Sequence, residues 1–191
     1  MLRRPYTFYK KTLLMLLLTL SISGCGYNTL VELDQRVNSA WAQVENQLQR
    51  RSDLIPNLVN IVKGYASHEK EIFQNIANAR AAMMNAKSIQ EKIDASNQME
   101  TSLRQLFAIV ENYPQLKADA TFARLMDEVA GTENRIAVER MRYNQAVEAY
   151  NSYARKIPVI YTVKIFGFDK EKPYFKAVEG AQTAPQINFN R

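Results

Sequence analysis

Apolar residues recur at positions 30, 33, 37, 41, 44, 48, 55, 58 and 62, in alternating steps of three and four interrupted only between Leu48 and Ile55. That spacing predicts one long amphipathic helix over about 28–63. Gly64 is placed to close it in the left-handed conformation. Ser67 is placed to cap a second helix over about 68–86, whose stripe is Ile72, Ile76, Ala79 and Met83. Ser88 to Glu91 has the S-x-x-E form of a capping box, so a third helix runs over about 89–112 with Ile89, Ile93, Leu103, Leu106 and Val110 inward. After a turn at Pro114, a fourth helix over about 119–156 carries Phe122, Leu125, Val129, Ile136, Tyr143, Val147 and Tyr150.

Short connections between amphipathic helices imply antiparallel neighbours, so the expected fold is all-α, an up-and-down four-helix bundle over 30–168. Two helices are long and two short. The short pair covers only the half near Gly64 and Pro114, leaving a two-helix stalk that exposes Leu33, Val37, Trp41, Tyr143, Val147 and Tyr150 unless something covers them. Residues 157–168, apolar and β-branched, are expected to fold back over the stalk as an extended strap. Residues 169–191 then form a flexible tail, with disorder expected from about 178.

Two polar interruptions sit within the stripes. Arg51 or Ser52 breaks the first helix, and Thr132 or Glu133 breaks the fourth. Antiparallel pairing with residue numbers summing to about 183 sets the two breaks side by side, so Arg51 is expected to meet Glu133, because a charge on a core stripe is costly unless paired. Such a pair fixes register; a ligand role and plain exposure are the competing readings. Pro56 falls inside the first helix and is read as a bend, since a break there would leave only a ten-residue remnant before Lys63. Arg50, Asp53, Asn57 and His68 surround this bend as candidate partner-binding residues.

The chain ends change the picture next. Arg3, Arg4, Lys10 and Lys11 precede an uncharged run from Thr12 to Ile22, the layout of a secretory signal over residues 1–24. Eleven residues fall short of the roughly 20 needed to span a bilayer. The run ends Leu20-Ser-Ile-Ser-Gly24-Cys25, which resembles a bacterial lipobox: cleavage between Gly24 and Cys25 and acylation of the Cys25 thiol are expected, with residues 25–29 as linker. Cys25 is the sole cysteine, so no internal disulfide can form. The expected location is the cell envelope, lipid-anchored, on the periplasm-facing leaflet of the outer membrane, since Gly26 replaces the aspartate that favours inner-membrane retention in enteric-type bacteria.

Net charge is +6 for the whole chain, from 25 basic and 19 acidic residues. Loss of the signal removes four basic and no acidic residues, leaving 21 against 19, or +2. No basic stripe with interleaved aromatics points to nucleic acid. His68 is the only histidine, so no zinc site of Cys and His type can be built, and no cofactor is expected. No catalytic residues are assigned, and the chain is read as a non-enzyme.

The stretches Ala40-Trp41-Ala-Gln-Val44, Arg50-Arg51-Ser-Asp53-Leu-Ile-Pro56-Asn57-Leu-Val59, Lys63-Gly64-Tyr65-Ala-Ser-His68-Glu69, Ala79-Arg80, Tyr113-Pro114, Glu133-Asn-Arg-Ile136, Arg142-Tyr143-Asn144 and Gly167-Phe168 together resemble the LemA family. The resemblance implies an antiparallel helical bundle of bacterial envelopes with no established catalytic residues. It also implies an N-terminal transmembrane helix in most members, from which the lipobox of this chain departs. The expected function is a lipid-anchored envelope adaptor with an unidentified protein partner; the alternative is a structural lipoprotein that self-assembles as a homo-oligomer.

Overall fold

The computed structural model describes the backbone of residues 5–176 and the side chains of residues 26–176. The expected disorder from about 178 lies outside the described residues. Among the described residues, six helices follow in order: α1 Pro5–Tyr65, α2 Lys70–Asn85, α3 Ile89–Val110, α4 Pro114–Lys117, α5 Ala120–Ala154 and α6 Val159–Phe166. Among the described residues there is no strand. The protein is all-α.

Several boundaries differ from the pattern reading. α1 starts at Pro5 rather than near residue 28, continuous with the segment read as a signal. It runs past Gly64 to Tyr65 because the Ala66 N–H still reaches the Val62 carbonyl at 2.8 Å, so Gly64 needs no left-handed backbone. Glu69, not Ser67, is the N-cap of α2, and it caps without a side-chain hydrogen bond. At α3 the capping box is complete: Ser88 Oγ accepts from the Glu91 N–H at 3.1 Å, and the Glu91 carboxylate accepts from the Ser88 N–H. Asp119 caps α5, accepting from the N–H groups of Thr121 and Phe122 at 2.8 and 3.0 Å.

The chain divides into two compact units, to both of which α1 and α5 contribute. Unit 2 holds residues 43–140 with the segment from Pro173. Its core joins Ile55, Leu58 and Val62 of α1 to Phe73 and Ile76 of α2, Met99, Leu103 and Leu106 of α3, and Phe122 and Val129 of α5. Arg51 pairs with Glu133, and Tyr65 with Asp119. The two pairs have the same residue-number sum, the signature of antiparallel neighbours one residue from the expected register. Phe175, under the guanidinium of Arg140, is buried.

Unit 1 holds the part of α1 up to Ala42 together with residues 141–172. Val37, Trp41, Tyr143, Val147 and Tyr150 are all buried, with the Trp41 and Tyr143 rings edge-on at 5.2 Å. The expected extended strap is instead helical over α6. β-branched composition favours strand, but the inward residues Val159, Thr162 and Val163 follow helical spacing, and Gly167 at φ 73° terminates the turn. Tertiary packing decides between the two.

The segment after α6 differs too. The Tyr150 hydroxyl donates to the Asp169 carbonyl at 2.7 Å, and the Asn151 side chain both donates to and accepts from the Lys172 backbone at 3.0 and 2.7 Å. Lys172 Nζ reaches Asp34 and Asp169 at 2.8 and 2.7 Å. Residues 169–176 are therefore held, where a flexible tail from residue 169 is expected.

Candidate functional site

The candidate site lies in unit 2, around the α1 stretch Arg50 to Lys63. Arg51 occupies the polar step in the α1 stripe, and Glu133 the matching step in α5. Their side chains meet at 2.5 Å, with Arg51 7% and Glu133 37% exposed. Arg51 Nε is buried without a hydrogen-bond partner. Burial lowers the Arg51 pKa, and the charges of Glu133 and Glu100 oppose that shift. Glu100 is itself paired with Arg104 one turn along α3. These four charges rim a cleft of about 300 Å³ whose floor is Leu103, Phe107, Met126 and Val129.

Pro56 does not end α1, which continues through it. Its ring has no N–H to give the Ser52 carbonyl, one turn back. Asp53 is occupied locally, accepting from Gln49 at 2.8 Å. Beside the proline, α1 and α2 enclose a groove of about 310 Å³. Two helical rows meet there: Pro56, Val59 and Lys63 from α1, and Phe73, Ile76, Arg80 and Met84 from α2. The ammonium of Lys63 stands over the Phe73 ring at 5.3 Å. Arg80 Nε is buried without a partner, and no carboxylate lines the groove. The groove is apolar within and cationic at its edge.

The remaining predicted residues disperse. Asn57 faces a different hollow, of about 490 Å³ between α1 and α5, with Arg124 and Glu128. Arg50 and Asp53 are exposed on α1, and His68 is exposed in the α1–α2 connection. None of these four lines the Pro56 groove. The surroundings of Gly24 and the side chain of Cys25 lie outside the described residues. Pattern reading passed over Lys63 and Arg80 as groove residues; their signal was their place at steps of three and four on the rows that carry Pro56 and Phe73. Among the described residues, no cluster of three His, Cys, Asp or Glu side chains could hold a metal ion, and no helix is long and apolar enough to cross a membrane.

The LemA family model matches residues 40–189, which takes in every residue of this site. The chain belongs to the LemA family. Similar LemA-family proteins include the magnetosome proteins MamQ 2 and MamQ 1 of Paramagnetospirillum magneticum, each 27% identical over 84% of this chain and 70% of their own length. The magnetosome protein MamQ of Magnetospirillum gryphiswaldense is 26% identical over the same shares.

Proposed function

We propose that this LemA-family protein is a non-enzymatic adaptor of the bacterial envelope. In this reading it is cleaved after Gly24, lipid-anchored through Cys25 on the periplasm-facing leaflet of the outer membrane, and folded as an antiparallel four-helix bundle that presents a docking groove. The observation that carries the adaptor role is the groove at Pro56. Its apolar floor and the two cations Lys63 and Arg80, with no acid beside them, suit an acidic amphipathic helix of another envelope protein: apolar anchors enter the groove while carboxylates meet the guanidinium and ammonium. Arg80 Nε, already desolvated, offers a charge-assisted hydrogen bond that forms only when an acceptor enters.

The test is site-specific photo-crosslinking in cells, with the reactive residue at Asn60 or Met84 in the groove and at the exposed Glu148 as a control. Adducts with another envelope protein at the two groove positions, lost in Lys63→Glu/Arg80→Glu, are expected. Adducts at Glu148 alone would remove the adaptor reading. Adducts of twice the chain mass at the groove would establish self-assembly in its place.

A further inference from the structure

In unit 1 a second apolar surface stands open at α6. Ile157 is 80% exposed, Ile165 76%, Tyr161 58% and Phe166 57%. Within α6, Tyr161 and Ile165 stand four residues apart and so share one side, with the exposed Ile157 in the turn just before the helix, whereas Val159, Thr162 and Val163 point inward. The helix is thus fastened to the protein by one apolar face and shows another to its surroundings. Single exposed apolar residues are ordinary, but a contiguous stripe marks a contact.

Position and charge identify that contact. The Phe166 ring lies 4.8 Å from the Tyr27 ring, and the Phe168 ring 5.7 Å from it. A Cβ on Gly26 would sit 3.3 Å from Val159 Cγ2. α6 is therefore packed on the two residues that directly follow Cys25, about 3 Å along the helix. Cations frame the stripe: Lys164 is exposed, and Lys156 lies over the Tyr153 ring at 5.8 Å. The neighbouring acids are engaged, Glu171 with Arg155 and Asp169 with Lys172.

We infer that α6 is an interfacial membrane element, lying in the headgroup layer with Ile157, Tyr161 and Ile165 at the acyl boundary and Lys156 and Lys164 among anionic headgroups. The inference rests on the membrane attachment proposed above. A tyrosine between two isoleucines suits that depth, and lysine stems bury their methylenes while the ammonium stays wet. An apolar helical face with flanking cations is the make-up of an element that lies in the membrane interface.

The test places a reporter in the stripe of the full chain. Tyr161→Trp protein, purified from membranes, is reconstituted into phosphatidylcholine and phosphatidylglycerol vesicles with or without brominated acyl chains, and mass spectrometry of the N-terminal peptide reads the state of Cys25. At least a twofold loss of emission from the introduced indole on bromination is expected, whereas the buried Trp41 of the unsubstituted chain is little quenched. Adding Ile157→Glu/Ile165→Glu should abolish the quenching while circular dichroism shows the helix content unchanged. Acylated Cys25 without quenching would overturn the α6 inference and leave the anchor in place. Quenching in an unacylated chain that retains residues 1–24 would overturn the anchor and uphold α6. Absence of both acylation and quenching would overturn both. Blue-shifted but unquenched emission, with doubled mass in detergent, would assign the stripe to a second copy and overturn the inference.

Discussion

A guanidinium buried against one partly exposed carboxylate creates an asymmetric dependence. Glu133 can be hydrated when Arg51 is gone, but Arg51 cannot when Glu133 is gone. Glu133→Ala should therefore cost about 2 kcal/mol, discounted from the larger loss typical of fully buried pairs, and Arg51→Met about 1 kcal/mol or less, since methionine refills much of the apolar volume. Urea unfolding of both single variants and the double variant measures the difference; equal costs would show that burial does not govern the pair. This contact was legible in the sequence because two polar interruptions fell opposite each other in an antiparallel register. The unpartnered Nε was not, because it depends on the rotamer that the surrounding side chains impose.

At the scale of elements, Pro56 sets local stability against surface shape. Proline inside a helix costs about 3 kcal/mol, part of which returns through the stiffer unfolded chain, so Pro56→Ala should stabilise unit 2 by about 1 to 2 kcal/mol. The same substitution should reduce photo-crosslinking from Asn60 and Met84, because it changes the α1 edge of the groove. A variant destabilised on urea unfolding would show that the ring is needed for packing. Long stripes of apolar residues reveal helices such as α3 and α5 readily, and the Ser88 capping box marked a start to the residue. α6 was not legible in the same way: apart from Lys164 its eight residues are mostly apolar or β-branched on both faces, so periodicity in composition is weak, and the burial of Val159, Thr162 and Val163 against the chain shows the helix only once the fold is formed. The groove was illegible for a related reason, since its two rows belong to different helices.

The whole molecule titrates as a plateau with two edges. Burial pushes the Tyr143 phenol up to about 12, against a weaker opposing pull from Lys172. The phenol ionises more easily in the unfolded chain, so its contribution is complete below pH 10 and is lost as pH rises from there towards 12. The backbone N–H groups of Phe122 and Thr121 hold the Asp119 carboxyl below its usual value, and those of Lys87 and Ser88 do the same for Glu91. Their contributions are complete above the ordinary carboxylate range and are lost as pH falls through it. Thermal unfolding across pH should show a broad maximum, with Tyr143→Phe flattening the alkaline edge and Asp119→Ala the acid edge. An alkaline edge unchanged in Tyr143→Phe would assign that loss to other groups.

The clasp between Asn151 and the Lys172 backbone, with Lys172 Nζ on Asp34, bears on the order of events during synthesis. Unit 1 is assembled from residues far apart in the chain, and one of its ties is made by residue 172. A chain that emerges from its N-terminus cannot complete that unit until almost all of it is available. Late closure therefore serves as a timer: unit 1 stays pliable while the chain is still being made and locks only once Lys172 reaches Asn151 and Asp34.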